Sequence, residues 1–499
     1  MSLSTVAAPT ADETSRRVIR GSVTYAAASV LQRAAPLILL PVFAHILTPS
    51  EFGEIGVIIT ISAALATLLS LGLETAIFRG YRQESGDTES VRALVNTVGG
   101  FALVVPIATA AVIAAFAAPP LATVFGVPAD ALVLGCLGAA VNVAAMLVPL
   151  TILRAQERLR DYLQLTSIQV AVTVGLTILL VGIAGWGVAG WMLASALSSM
   201  LLLIRGLAIL RHPWALEVDF KQLRSALRFG IPLVPHAFAH WGLAVSDRAI
   251  IVAFVGAQQA GAYYAAFLLS LPVTLVSLAL SQGAQPLFAD ARSLQGRQEH
   301  ITRVVTSQAL LVMLAAAAVA LVGPPATLIL LPESYATAAQ FIPWLALGAC
   351  LFGLYLMPMN AITVTAGQTG HAWLITTFAA ATNISLNLAL VPRLGAYAAA
   401  VNTTIGYAIL LAGVLVYMRR VCNPPIRYEV RRIAIGAVLI GLACLLATWL
   451  SPSDPTLGVV VRIAVLVVLA ASLVALGPLS EEARSLVRAV RPAPTGSGL

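Results

Sequence analysis

The chain has 499 residues, 59% hydrophobic and only 10% charged, with 29 basic against 21 acidic residues and a net charge of +8. A soluble domain carries about 25% charge, and soluble cores stop growing near 250–300 residues. This much apolar surface excludes a water-soluble globular protein and makes lipid its solvent.

Residues 1–20 are polar, and the apolar run that follows is too long for the core of a cleavable signal. About 20 apolar residues cross the hydrocarbon of a bilayer. Fourteen runs meet that need: 21–47, 52–78, 93–117, 130–153, 162–184, 187–209, 229–255, 261–286, 304–327, 339–364, 372–390, 395–418, 433–450 and 457–478. An all-α integral membrane fold of about fourteen helices is expected. If alternate loops share a side, one side holds 25 of the 29 basic residues and the other holds only Arg393, while Arg33, Arg248 and Arg462 fall within runs. Basic loops stay in the cytoplasm, so both termini are expected there and the basic balance reflects topology, with no nucleic-acid partner.

In chain order, run one carries Ser22, Tyr25, Ser29 and Gln32 on one stripe, with Arg33 at its edge near mid-run. The turn Leu47-Thr-Pro-Ser-Glu-Phe-Gly53 leads into run two, where Thr60, Thr67, Ser70 and Glu74 form a second stripe. At about 100° per residue, His236, His240 and Asp247 of run seven share a face, and Arg248 lies about 100° round. Tyr263, Ser270, Thr274, Ser277, Ser281 and Gln285 share a face of run eight. Arg462, five residues into the last run, is expected to snorkel outward.

An ionisable residue at mid-bilayer costs about 2.5–3.5 kcal/mol on insertion scales and needs a cavity or a partner. Polar stripes on runs one, two, seven and eight point to a water-filled cavity. Plainer readings stand beside this one. Ser and Thr also serve helix packing, Asp247 and Arg248 can form a structural pair, and Glu74 can snorkel beside Arg79.

Gly53 and Gly261 share an offset of 208, as do Gly187 and Gly395, and Gly21 and Gly230 differ by 209. Two parallel six-helix repeats follow, a lobe at 21–210 and another at 229–418. They are joined by a linker at 211–228 and followed by a basic loop at 419–432, a helix pair at 433–478 and a tail at 479–499. Parallel repeats in transporters bind their cargo where the repeats meet. The four cysteines have no paired spacing and read as small core residues. No nucleophile–base cluster, phosphate loop or metal spacing occurs, so neither an enzyme nor a metal or organic cofactor is expected.

The phrases Leu47-Thr-Pro-Ser-Glu-Phe-Gly53, Leu71-Gly-Leu-Glu-Thr-Ala-Ile-Phe-Arg79, Leu227-Arg-Phe-Gly-Ile-Pro-Leu-Val-Pro235 and Ser246-Asp-Arg248 resemble polysaccharide-unit flippases of the Wzx type. Those belong to the multidrug/oligosaccharidyl-lipid/polysaccharide exporter superfamily, and the resemblance runs from about residue 17 to 420. It implies a bacterial inner-membrane protein that moves undecaprenyl-diphosphate-linked oligosaccharides to the outer leaflet by alternating access. Membrane lipids, a polysaccharide polymerase and glycosyltransferases are its implied partners. Guanidinium groups suit phosphate, so Arg33 and Arg248 become candidate diphosphate ligands, helped by Gln32, His236, His240 and Gln285. Asp247 and Glu74 become candidates for proton or sodium coupling. A lipid II flippase and a cation-coupled multidrug extruder remain open on the same fold.

Overall fold

A computed structural model of the chain describes residues 32–83, 88–211, 219–289, 294–366, 371–422, 427–449 and 455–475. The two tails, the opening of run one with Gly21, Ser22, Tyr25 and Ser29, and linker residues 212–218 lie outside the described residues. Each of the fourteen runs contains a helix among the described residues, run one only over Gln32–Ala44, and no strand occurs among the described residues. The helices of ten or more residues are, in order, α1 (Gln32–Ala44), α2 (Pro49–Ser70), α3 (Leu73–Gln83), α4 (Glu89–Phe116), α5 (Ala129–Ala155), α6 (Leu159–Ile183), α7 (Gly187–Leu210) and α8 (Phe220–Gly230). There follow α9 (Val234–Phe254), α10 (Ala257–Ala289), α11 (Leu294–Leu330), α12 (Ile342–Asn360), α13 (Ala372–Leu394), α14 (Ala396–Val421), α15 (Val430–Trp449) and α16 (Pro455–Ala475). Twelve helical segments among the described residues are long and apolar enough to cross a membrane. Large apolar side chains such as Phe116 and Ile183 are 78% and 76% exposed, which suits lipid and not water. The chain is a multi-pass membrane protein.

The chain forms two compact units. The first comprises residues 1–261, 282–286 and 376–384, and the second 262–281, 287–375 and 385–499. In the first, α5 and α7 pack closely because Gly138 leaves room for the Ala196 backbone, where an added Cβ would sit 3.0 Å from its Cα. Val141, Ala144, Leu153, Leu165 and Leu202 fill the space around them.

In the second unit, α11 is the hub. Val312 and Ala316 meet Val273, Ala346 and Cys350 on one side. Leu310 and Leu321 meet Ala443, Val465, Leu469 and Leu473 of α15 and α16 on another. A polar tie accompanies that second contact. A helical carbonyl accepts from the N–H four residues on, and proline has none, so Pro325 leaves the Leu321 carbonyl without its usual donor. Arg462 Nη1 donates to that oxygen at 2.9 Å. Arg462 therefore turns into the protein instead of snorkelling outward, because a freed carbonyl lies within its reach.

The polar stripe of run eight also finds protein partners. Ser270 and Ser277 are buried and donate to the Ala266 and Val273 carbonyls at 2.9 and 2.7 Å. Buried Ser281 accepts from Asn360 Nδ2 at 3.0 Å. These hydroxyls serve packing within the second unit and do not line water.

A shared detail marks both units. The Asp219 N–H, at the foot of α8, donates to Thr97 Oγ1 at 2.9 Å. The Glu429 N–H, at the foot of α15, donates to Thr306 Oγ1 at 3.0 Å. Positions 97 and 306 differ by 209, and 219 and 429 by 210, so the same tie recurs at the repeat offset.

Candidate functional site

The site is built along α2, and the turn that starts this helix explains itself. Thr48 caps it: the Glu51 N–H donates to Thr48 Oγ1 at 3.3 Å and the Thr48 N–H donates to Glu51 Oε2 at 2.9 Å, with proline in the first turn. Reciprocal capping of this kind satisfies two orphan donors at once. One turn later Gly53 lies against the start of α10. A Cβ on Gly53 would stand 2.9 Å from Gly261 N, and one on Gly261 would stand 2.7 Å from the Pro49 carbonyl carbon. Gly53 and Gly261, which the sequence sets 208 residues apart, touch here.

The other end of α2 repeats the device. Leu71 and Gly72 take positive φ, 47° and 66°, which glycine does without strain. A Cβ on Gly72 would stand 2.8 Å from Gly230 Cα, and one on Gly230 would stand 3.0 Å from the Gly72 carbonyl carbon. At 1.5 Å per residue, the two glycine contacts are about 28 Å apart, close to the thickness of the hydrocarbon. Between them Thr60 Oγ1 donates to the Val245 carbonyl at 3.3 Å, and Trp241 Nε1 donates to the Thr60 carbonyl at 3.1 Å. Helix α2 is thus joined to α9 in its middle, with bare backbone contacts at both ends.

Ionisable groups flank this seam. His236 and His240 are four residues apart on α9 and so share a face. Arg33 and His236 both lie within electrostatic reach of His240. Arg33 is exposed, the two histidines are half-buried, and His236 Nδ1 is a buried nitrogen with no hydrogen-bond partner. Among the described residues no carboxylate pairs with Arg33. Beside it, Gln32 Nε2 donates to Gln169 Oε1 at 3.1 Å, and Gln169 Nε2 donates to Asn142 Oδ1 at 3.4 Å. Gln169 and Asn142, which the sequence reading passed over, extend the polar patch onto α6 and α5.

The remaining candidates sit elsewhere or differently. Asp247 and Arg248 are 3% and 2% exposed, and Asp247 Oδ1 accepts from the Arg248 N–H at 2.8 Å. Arg248 thus presents no guanidinium to open space, against the expectation that it shares a cavity with Arg33. Glu74 is exposed and pairs with Arg154 at 2.8 Å, not with Arg79. The Arg79 guanidinium instead covers the Phe229 ring at 5.3 Å. Gln285 is exposed near the far end of α10. No three His, Cys, Asp or Glu gather to hold a metal among the described residues.

The motifs that meet at the two glycine contacts lie in a stretch that matches, over residues 42–340, the family described as polysaccharide biosynthesis protein. The chain belongs to that family. A curated relative, the succinoglycan biosynthesis transport protein ExoT of Rhizobium meliloti, is 25% identical over 330 residues. The match spans 62% of this chain and 62% of that relative's length. Among solved structures, lipid II flippase MurJ in an inward closed conformation superposes with a TM-score of 0.74 at 13% identity, covering 90% of this chain and 98% of that one. An inward-facing multidrug-resistance MATE transporter of the MOP superfamily gives 0.66 at 14% identity, covering 81% and 97%. These likenesses show that this member of the polysaccharide biosynthesis protein family has the flippase and extruder fold.

Proposed function

We propose that the chain carries undecaprenyl-diphosphate-linked oligosaccharide units from the cytoplasmic to the outer leaflet of a bacterial inner membrane, for synthesis of a surface polysaccharide. One observation carries this reading: Arg33 and His236 lie within electrostatic reach of His240 on α9, the helix joined to α2 through Trp241, and no carboxylate pairs Arg33 among the described residues. Such a cluster is built for an anion. A guanidinium engages phosphate oxygens in a two-toothed way, and the free His236 nitrogen adds a donor or acceptor for diphosphate or sugar. An extruder of organic cations needs the opposite sign. A lipid II flippase shares the diphosphate; the family match and the named transport role of the relative favour the oligosaccharide.

Alternating access is supported by the glycine contacts. Bare backbone surfaces at each end of α2 can part and rejoin without repacking side chains, one on each side of the membrane. With both termini cytoplasmic, as the basic loops imply, the Gly72–Gly230 contact faces the cytoplasm and Gly53–Gly261 the outer side. Glycosyltransferases that build the unit act before this step and a polymerase acts after it, as partners. Proton or sodium coupling falls to Asp247 at the buried α9 site. Glu74, exposed and paired with Arg154, is the lesser candidate.

In a strain dependent on this chain, Arg33→Ala is expected to abolish polymer export at unchanged membrane abundance. Normal polymer output from that variant would refute the diphosphate reading.

A further inference from the structure

We propose that the outer face of α8, continued to Ile231, binds an anionic phospholipid of the cytoplasmic leaflet. The face is a groove lined by Phe220, Leu223, Arg224, Leu227, Arg228 and Ile231. Their spacing of three and four residues makes one helical stripe. Phe220 is 77% and Ile231 50% exposed, a poor arrangement in water and a good one at the boundary of acyl chains and headgroups. Arg224 and Arg228 interleave with them and are exposed, and Lys221 precedes them. Residues 220–231 contain no acid, so nothing within the stripe neutralises these cations. The adjacent acid, Asp219, is spent on the cap, accepting from the N–H groups of Lys221 and Gln222 at 2.8 and 3.4 Å.

The groove is held in place from behind. The Asp219 N–H is tied to Thr97, Ala226 and Gly230 are buried, and Gly230 meets Gly72. While that contact is closed, the helix lies against the protein along one face and presents a combination of apolar and cationic groups along the other. Its side of the chain is the one that collects 25 of the 29 basic residues, where a leaflet rich in anionic headgroups attracts them. The complementarity is double, guanidinium to phosphate and aromatic or aliphatic side chain to acyl chain. That selects a phospholipid over a soluble anion.

The experiment titrates phosphatidylglycerol, then phosphatidylethanolamine, into the delipidated full-length protein and counts bound lipid by native mass spectrometry. Each basic residue at a membrane surface is worth about fivefold in binding, so R224Q/R228Q should weaken phosphatidylglycerol retention about 25-fold. R224K/R228K should retain most of it, and R419Q/R420Q, which removes equal charge at the end of α14, should leave it unchanged. Phosphatidylethanolamine should bind weakly to all four proteins. Undiminished retention by R224Q/R228Q overturns the proposal, as does an equal fall in R419Q/R420Q. If R224K/R228K falls as far as the glutamine pair, charge is not the cause and the proposal fails. Displacement of phosphatidylglycerol by equimolar undecaprenyl diphosphate would assign the groove to the cargo lipid instead.

Discussion

Gly261→Ala adds one methyl group where the structure has no room for it. The new Cβ would stand 2.7 Å from the Pro49 carbonyl carbon and 3.0 Å from Gly53 N. Carbon atoms settle about 3.5–4.0 Å apart, so the starts of α2 and α10 must separate by about 1 Å. Overpacking of this size costs about 1–3 kcal/mol when the structure cannot yield. If it can yield by opening that end of the seam, the open population rises about 5- to 150-fold. Gly230→Ala makes the matching change at the other end, with its Cβ 3.0 Å from the Gly72 carbonyl carbon. The reporter is Thr60→Cys, 1% exposed in mid-seam, in a chain whose four cysteines are replaced by serine. Membrane-impermeant maleimide applied to oriented vesicles should label it faster from the outer side in Gly261→Ala and faster from the cytoplasmic side in Gly230→Ala. Equal labelling from both sides, or no change in either variant, would show that these contacts are not the points at which access alternates.

Other consequences can be checked singly. Arg462→Leu leaves the Leu321 carbonyl without a donor in an apolar setting, which costs about 1–3 kcal/mol; thermal unfolding in detergent should fall by several degrees, and an unchanged midpoint would mean the hydrogen bond contributes nothing. Glu74→Gln breaks an exposed pair with Arg154, and since such pairs contribute about 0–1 kcal/mol, stability should barely move. Loss of export in Glu74→Gln at normal abundance would promote Glu74 to a coupling role. Thr48→Ala removes the α2 cap and should cost about 0.5–2 kcal/mol, read as earlier melting. Gln169→Leu cuts the amide chain behind Gln32, so cargo affinity should drop while abundance holds; intact affinity would make that chain mere packing.

The helices were legible because lipid imposes a length and a polarity that few sequences meet by accident. The seam was half legible. Gly53, Gly230 and Gly261 stood out as repeat landmarks, yet nothing in one dimension says that Gly53 meets Gly261 or that Gly230 meets Gly72. Arg248 shows the limit of helical periodicity: the wheel places it on a face of α9, but what covers that face depends on neighbouring helices. The serines of α10 show another, since a hydroxyl bonded to its own helix at i−4 looks the same in sequence as one facing water. With Arg462, Pro325 announced a carbonyl in need of a donor, but the donor lies 141 residues away.

That distance gives Arg462 a place in time as well as in space. At about 5–20 residues per second, a ribosome needs roughly 7–28 s to travel from Leu321 to Arg462. Throughout that interval α11 sits in the bilayer with a carbonyl for which its own helix offers no donor. Helix α16 supplies the missing group, so a chain that stalls or is cut before residue 462 keeps an unsatisfied carbonyl within its apolar core.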